Sequence, residues 1–227
     1  MKFLHLVMTC AAVMVLSGSC KKSSSDGATA DSTMQFQLKA ANPLVTVNRL
    51  NGNGSILWTS GSATASGVKL EARQDGLERE LKSSRIQQID LFASVMVNLG
   101  DFVIPVGTYT EVEFKIELNQ NGSNPALELN GQYTSGTGVV TPVVFSLNGL
   151  FELKAEQANV VVTGNSSIAA LTTLDLSFVS NGITQTILNG ASITAGKIVI
   201  SASSNINIYN IITNNLLEFH HVDVSHH

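Results

Sequence analysis

Cysteine and charge are scarce in this chain of 227 residues. The two cysteines, Cys10 and Cys20, both lie near the beginning, so the remainder has no thiol for a disulfide, a zinc site or a nucleophile. Charged residues make up 13% of the sequence, which is about half of the ordinary share. The net charge is −4 and no basic stripe is present, which argues against nucleic acid as a partner.

The sequence also lacks the recognisable motifs of catalytic and metal sites. It contains no G-x-S-x-G nucleophile elbow and no D-x-[DN]-x-[DN]-G calcium loop. No internal repeat, proline-rich linker or block of like charge marks a second domain. We therefore expect one domain that has no cofactor and no enzymatic activity. Apolar residues make up 44% of the chain, which is enough for a sizeable core.

The first 19 residues have the three parts of a secretory signal. Lys2 forms the positive n-region, "FLHLVMTCAAVMVL" forms the apolar h-region, and "SGS" supplies small residues next to a cleavage site. The h-region is too short for a membrane-spanning helix, which needs about 20 apolar residues. Residues 1–19 are therefore predicted to be an export signal that is removed.

The small residues run directly into Cys20, and Leu16 lies four positions upstream of it. This pattern resembles the lipobox of bacterial lipoproteins, in its looser Bacteroidetes form, whose cysteine receives a diacylglyceryl group. Residues 20–33 are then a lipidated cysteine followed by a flexible polar tether. Lys21 replaces the aspartate that retains some lipoproteins at the inner membrane, so the resemblance implies an outer-membrane lipoprotein. The alternative is an ordinary signal peptide with an incidental cysteine.

From residue 34 onward, apolar and polar side chains alternate with the period of β-strands. The clearest strand is "TEVEFKIEL", in which Val112, Phe114, Ile116 and Leu118 face one way and Glu111, Glu113, Lys115 and Glu117 the other. "GVKLEARQDGLERELKS" predicts a hairpin that turns at Asp75-Gly76, a dipeptide that accepts the positive φ of a type I′ turn. That turn would pair Leu70 with Leu81 and Arg73 with Glu78.

Further strands are predicted between turn residues along residues 34–219, which we assign to one antiparallel β-sandwich domain. Their segments are "MQFQLKA", "ILWTS", "RIQQIDLFAS", "DFVIP", "ALELNG", "VVTPVVFSL", "LFELKA", "NVVVTG", "LTTLDLSFV" and "KIVISA". The spacing of roughly 8–12 residues is typical of a sandwich or barrel and not of βαβ units.

One segment near the end of the chain has helical periodicity instead. In "SSNINIYNIITNNLLEFHH" the recurring residues are Ile208, Ile211, Ile212, Asn215, Leu216 and Phe219. This spacing predicts a short C-terminal α-helix that packs on the sandwich, with Ser204 or Asn205 as its N-cap. A final strand is the alternative, because isoleucine also favours strands. Residues 220–227 are predicted to be a disordered, histidine-containing tail.

"FVIPVGTYTEVEFKIEL" carries a resemblance to a known family, at Ile104, Pro105, Gly107 and Tyr109. It resembles the Ile-Pro-x-Gly-x-Tyr hairpin of an uncharacterised domain-of-unknown-function family of Bacteroidetes-type lipoproteins. The resemblance implies a transthyretin-like β-sandwich and no assigned activity. In such a turn, proline sets φ at the strand end, glycine takes positive φ, and the tyrosine hydroxyl reaches backbone.

Three groups of residues are candidates for ligand chemistry. Trp58 is either a ring on which a sugar stacks or a core residue of its strand, which is the commoner case. Glu111, Glu113 and Glu117 are interpreted as a solvated strand face, since glycoside hydrolysis needs two carboxyl groups across a cleft. The tail contains a candidate metal-binding group of imidazoles, which consists of His220, His221, His226 and His227 beside Asp223.

The sequence thus predicts a non-enzymatic binding or structural module that a lipid at Cys20 holds at the outer membrane. Its partners would be the membrane and a glycan or protein at the cell surface. The second hypothesis is a fimbrillin-like pilus or adhesin subunit, which would be cleaved after an arginine such as Arg49 and polymerise by strand donation. The third is an accessory protein of a glycan-acting hydrolase.

Overall fold

The computed structural model describes residues 31–47, 54–164 and 167–218, together with the backbone of residues 222–226. Several predictions concern residues outside these ranges. They are the export signal 1–19, the lipid site Cys20, Arg49, Phe219, and the histidines His220, His221 and His227.

The described chain is mostly β-structure, with short helices in its last third. The strands are β1 Ser32–Ala41, β2 Leu44–Val47, β3 Gly54–Gln74, β4 Leu77–Ser83, β5 Gln87–Asp90, β6 Gly100–Ile104, β7 Gly107–Leu118, β8 Leu127–Thr134, β9 Val140–Leu147, β10 Phe151–Val162, β11 Ser167–Asp175, β12 Ile193–Thr194, β13 Lys197–Ile200 and β14 Val222–His226. The helices are α1 Leu176–Val179, α2 Gln185–Asn189 and α3 Ile206–Leu217. This composition confirms the all-β prediction with a short C-terminal helix.

The strands form two sheets. The small sheet has the order β14-β11-β1-β6, and the large sheet has the order β10-β7-β3-β8-β9-β13-β12 with β2, β4 and β5 also paired to β3. The two sheets pack face to face through their apolar sides, where the ring of Phe36 on β1 meets Phe114 on β7 at 5.1 Å in an edge-on contact.

The central element of the large sheet is β3, whose 21 residues span about 70 Å when extended. On one edge of β3, β8 pairs with the first part of the strand and β7 with the last part. On the other edge, β2, β5 and β4 pair with successive parts of β3. The register shifts between Trp58 and Ser60 and again between Ala65 and Gly67. The second of these bulges divides β3 into a proximal half, residues 67–74, and a distal half, residues 54–63, and the first lies within the distal half.

The predicted hairpin is present between β3 and β4. Asp75 and Gly76 both have positive φ, 50° and 76°, as a type I′ turn requires. The turn places Leu70 opposite Leu81 and Arg73 opposite Glu78, as predicted.

The alternation predicted for residues 110–118 is confirmed in β7. Its apolar residues Val112, Phe114, Ile116 and Leu118 are buried. The turn before β7 also matches its prediction, because the Tyr109 hydroxyl donates to the carbonyl oxygen of Pro105 at 2.8 Å. Gly107 has a φ of 154°, and a side chain there would meet Gln74.

The prediction of an antiparallel sandwich holds only in part, because both sheets are mixed. β1 pairs with β11 in parallel, and β13 pairs with β9 in parallel. Residue alternation reports which face of a strand is buried but carries no information on strand direction. Both parallel pairs join strands that are distant in the chain, so only the path of the intervening segments decides their direction.

The predicted strand "LTTLDLSFV" is also corrected, because it ends at Asp175 and continues as α1. The carboxylate of Asp175 accepts hydrogen bonds from the backbone of Ser177 at 2.8 Å and Phe178 at 3.3 Å. This is an N-cap, which satisfies amide groups that would otherwise lack partners at a helix start. The helix α2 was not predicted.

The helix α3 confirms the predicted C-terminal helix. It buries Ile208, Ile212 and Leu216. Asn205 is the N-cap by position but makes no capping hydrogen bond. Its side chain instead donates to the carbonyl oxygens of Val199 at 2.8 Å and Ser192 at 3.0 Å, so it ties the helix start to β13.

The prediction of a disordered tail is wrong for residues 222–226, which form β14. This strand pairs antiparallel with β11, with Ile168 opposite His226 and Thr172 opposite Val222. The sequence "VDVSH" alternates apolar and polar residues, and β11 presents an edge with unpaired backbone groups that such a strand can satisfy.

Candidate functional site

Trp58 lies in the core and presents no face to a ligand. It is 1% exposed, and its indole Nε1–H donates to the hydroxyl of Ser180 at 3.1 Å. Ser180 follows α1 and is itself 1% exposed. Trp58 is therefore a core residue of its strand and not a ring on which a sugar stacks.

The outer face of the proximal half of the large sheet carries rows of like charge. In the aligned strands β4, β3, β7 and β10, a lysine row consists of Lys82, Lys69, Lys115 and Lys154, and a glutamate row consists of Glu80, Glu71, Glu113 and Glu156. Like charges directly opposite each other destabilise a sheet. The two rows neutralise each other instead, through ion pairs that join one row to the next.

The ion pairs are closest in the middle of the rows. Lys115 lies 2.5 Å from Glu113 and 2.8 Å from Glu71, and Lys154 lies 2.6 Å from Glu113. Lys69 also bridges strands, at 3.1 Å from Glu80. Because lysine side chains from two strands cover Glu113, that residue is only 8% exposed. The predicted face is therefore correct, but the prediction of a solvated Glu113 is wrong.

The rows shift the pKa values of their central members. Hydrogen bonds from Lys115 and then from Lys69 lower the pKa of Glu71 to about 2. Burial opposes the charged forms of Glu113 and Lys115, but their mutual ion pair and their further partners outweigh it. The pKa of Glu113 is therefore lowered and the pKa of Lys115 is raised.

The carboxylates of this face do not form a metal site. Oxygen atoms of Glu111, Glu113 and Glu156 approach within 4.8 Å of one another. However, Lys115 and Lys154 already occupy the oxygen atoms of Glu113, and a divalent cation would have to displace both ammonium groups. The charges of this face are therefore neutralised by ion pairs between its own lysines and glutamates.

The distal half of the same large sheet has a different outer face, with few charges and many hydroxyl and amide groups. A cleft of about 390 Å³ opens there beside the bulge of β3. We call it the distal cleft. Its lining residues are Ser60, Gly61, Ser62, Gln88, Ile89, Asp90 and Asn130.

Three neighbouring strands position the polar groups of the distal cleft. Ser62 on β3 lies opposite Asp90 of β5 on one side and opposite Glu128 of β8 on the other. Asp90 is held in place because its Oδ1 accepts the backbone N–H of Phe92 at 2.9 Å. Asn130 is oriented by its amide, which donates to Glu128 at 2.9 Å.

The bulge gives the distal cleft its shape. Thr59 and Ser60 are both exposed, so the alternation of β3 breaks at this point. Opposite the bulge, Gly131 is required by close packing, because a Cβ atom there would lie 2.5 Å from the carbonyl oxygen of Leu57. Sequence reasoning missed this site, although "LWTSGS" and "LELNGQ" are the stretches where regular alternation fails.

A second cleft of about 330 Å³ lies between β2 and the segment that joins α1 to α2. Leu44, Ser177, Asn181 and Thr184 are among its lining residues. Ser177 is engaged in the α1 cap, where its hydroxyl donates to Asp175 at 2.6 Å. The cleft therefore belongs mainly to the packing of the helices on β2.

The predicted histidine group is not assembled in the described part of the chain. His226 ends β14, opposite Ile168 of β11, while His220, His221 and His227 lie outside the described residues. Among the described residues, no helix combines the length and apolar character needed to cross a bilayer.

No protein-family model matches this chain, and neither a curated protein nor a solved structure shows detectable similarity to it. The resemblance to a lipoprotein family therefore stays a prediction from the residues that carry it.

Proposed function

We propose that this protein is a non-enzymatic binding module that a lipid at Cys20 anchors to the outer membrane. The observation that carries the proposal is the position of β1. This strand begins at Ser32, shortly after Cys20, and lies inside the small sheet between β11 and β6. A lipid on Cys20 would therefore anchor the domain through a strand that is paired with a neighbouring strand on both of its edges.

The geometry also supports display of the distal half away from the membrane. Ser32 lies opposite Ile104, and its hydroxyl donates to the carbonyl oxygen of Thr163. Ile104 precedes β7, and Thr163 follows β10. Both residues therefore lie at the end of the sandwich where β3 ends. Ser60 lies 14 residues before Gln74 on β3, a distance of about 45 Å along an extended strand. The distal cleft therefore lies far from the beginning of β1, to which the predicted tether connects.

Metabolic labelling with an alkyne fatty acid tests the anchor. The wild-type protein should be labelled and sediment with the outer membrane, while Cys20→Ser should be unlabelled and leave the membrane fraction. Cys10→Ser is the matched control, because Cys10 belongs to the predicted export signal, and it should be labelled like the wild type. Equal labelling of Cys20→Ser would refute the anchor.

A second candidate, a fimbrillin-like pilus subunit, is favoured by the same strand. Cleavage after Arg49 would remove β2 and also β1, whose Met34, Phe36 and Leu38 are buried in the core. The resulting groove between β11 and β6 would then accept a strand from another copy. Against this, the C-terminal strand β14 has five residues whereas β1 has ten, so β14 is a poor replacement.

The amino-terminal sequence of the mature protein separates the two functions. The pilus subunit would begin at residue 50 and form SDS-resistant ladders that Arg49→Ala abolishes. The anchored module would keep residues 20–49 and show no ladder.

A further inference from the structure

We propose that the distal cleft binds a neutral carbohydrate. This inference rests on the proposed function, because it names the ligand of the anchored module. The cleft measures about 390 Å³, which lies within the usual range of small-molecule sites, about 300–1,000 Å³. It is open to solvent on the outer face of β3, where a chain of sugars can lie along the sheet.

The polar groups of the cleft match hydroxyl groups in both directions. Asp90 offers carboxylate oxygens that accept hydrogen bonds from hydroxyl groups. Asn130 and Gln88 offer amides that donate and accept, and Ser60 and Ser62 offer hydroxyls that do both. A sugar presents the same mixture of donors and acceptors at close spacing.

The charge of the cleft selects against anionic ligands. Asp90 and Glu128 flank Ser62 in one row of the sheet, at a separation of about 10 Å across two strand spacings. Neither carboxylate has an ion pair to a described residue, in contrast to the glutamate row of the proximal half. No basic residue lines the cleft. A phosphate, a uronic acid or a nucleic acid would therefore be repelled.

The cleft also has the rigidity that a binding site needs. The backbone of Leu91 donates to the carbonyl oxygen of Gly61 at 3.0 Å, which fixes β5 to β3 beside Asp90. Gly61 leaves room for the ring of Phe92, since a Cβ atom there would lie 3.2 Å from its Cε2 atom and closer still to Leu129. The half-buried Phe92 ring packs against the hydrophobic core beneath this part of β3.

The test measures binding of neutral oligosaccharides to the detergent-solubilised full-length protein. The probes are cello-, xylo-, manno- and malto-oligosaccharides, followed by saturation-transfer NMR and calorimetry, with oligogalacturonate and spermine as anionic and cationic comparisons. We expect at least one neutral series to bind. Asp90→Asn keeps the acceptor for the Phe92 N–H but removes the charge, and should weaken that binding at least about tenfold.

Two further variants keep the result interpretable. Ser62→Ala should also weaken binding, while Asp101→Asn should bind like the wild type. Asp101 is a matched control because it is an exposed aspartate that accepts a hydrogen bond from Asn98 at 2.7 Å. It lies on β6 of the small sheet, whereas the cleft is formed by strands of the large sheet. The fluorescence of Trp58 reports whether each variant is folded.

The inference is overturned if none of the four neutral series binds, if only oligogalacturonate or spermine binds, or if the folded Asp90→Asn and Ser62→Ala variants both bind like the wild type. These results are independent of the labelling of Cys20. A labelled protein without sugar binding would refute the cleft alone, and an unlabelled protein that binds sugar would refute the anchor alone.

Discussion

Trp58 and Ser180 form a buried hydrogen bond, 3.1 Å long, between the distal half of β3 and the end of α1. We expect Trp58→Phe to lower the free energy of unfolding by about 2–4 kcal/mol, because it leaves a cavity and removes the partner of a buried hydroxyl. Ser180→Ala should cost less, about 1–3 kcal/mol, since it leaves only the indole N–H unpaired. Urea denaturation measures both losses.

The only tryptophan of the chain also provides a direct test of its burial. Its fluorescence in the native protein should be blue-shifted and protected from acrylamide, and should shift to the red on unfolding. A native spectrum typical of solvated indole would contradict the core position.

The two faces of β7 should respond differently to substitution. Phe114→Asp places a charge in the core beside Phe36 and should unfold the domain. Glu113→Ala should cost about 1–2 kcal/mol, because Lys154 loses its closest partner while Lys115 keeps Glu71. Thermal melts compare the two variants. The register of β7 would be off by one residue if Glu113→Ala were the more damaging change.

Acid should destabilise the protein through the glutamate row. The pKa of Glu71 is about 2 in the folded state and returns to about 4.3 in the unfolded chain. The unfolded state therefore binds more protons between these values, and the stabilisation from Glu71 is present above about pH 4.3 and is lost as the pH falls towards 2. In Glu71→Gln the melting temperature should fall less steeply over this window, as measured by circular dichroism.

A matched substitution tests whether the charge alone is responsible. Glu152→Gln changes an exposed glutamate of β10 and should leave the pH dependence of the wild type unchanged. If it flattened the acid limb as strongly as Glu71→Gln, the rows would not be the cause.

Gly131→Ala should destabilise the distal half by about 1–3 kcal/mol. The added methyl group would lie 2.5 Å from the carbonyl oxygen of Leu57 and 3.0 Å from the Cα atom of Trp58. Gly190→Ala is the control, since its nearest neighbour lies at 3.5 Å and its φ is −89°. Equal melting temperatures for the two variants would show that β8 does not approach β3 this closely.

Truncation at the C-terminus should act in two steps. Deletion of residues 220–227 removes β14 and exposes the edge of β11, so the protein should melt earlier and associate at high concentration. Deletion of residues 205–227 also removes α3, with its buried Ile208, Ile212 and Leu216, and should prevent stable folding. Size-exclusion chromatography distinguishes the products. A monodisperse, stable product of the longer deletion would contradict the docked α3.

Local patterns predicted much of the fold. Strict alternation identified the buried face of β7, and Asp75-Gly76 identified a hairpin together with its register, because both signals are contained in a few adjacent residues. The spacing of Ile208, Ile212 and Leu216 identified α3 for the same reason. Two local signals were misread: Asp175 is a helix cap inside what looked like one strand, and "VDVSH" looked like a loose tail.

The candidate sites could be predicted only in part. Trp58 was correctly placed in a strand with the core as its commoner role, but its hydrogen-bond partner Ser180 lies 122 residues away. The distal cleft was missed because Ser62, Asp90 and Asn130 come from three strands and meet only across a bulge. Such residues carry no signal in a window of adjacent positions.

The sequence by itself determined which side chains of β7 face the core, where the Asp75-Gly76 turn lies, and that the segment of α3 is helical, since these depend on interactions between neighbours in the chain. Only the tertiary structure decided the parallel direction of β1 beside β11, because direction depends on the path of the chain between them. It also decided the alignment of β4, β3, β7 and β10. This alignment brings lysines and glutamates from separate parts of the chain into two rows whose charges neutralise each other. The pKa of Glu71 is therefore a property of the assembled sheet, since Lys115 reaches it from a different strand.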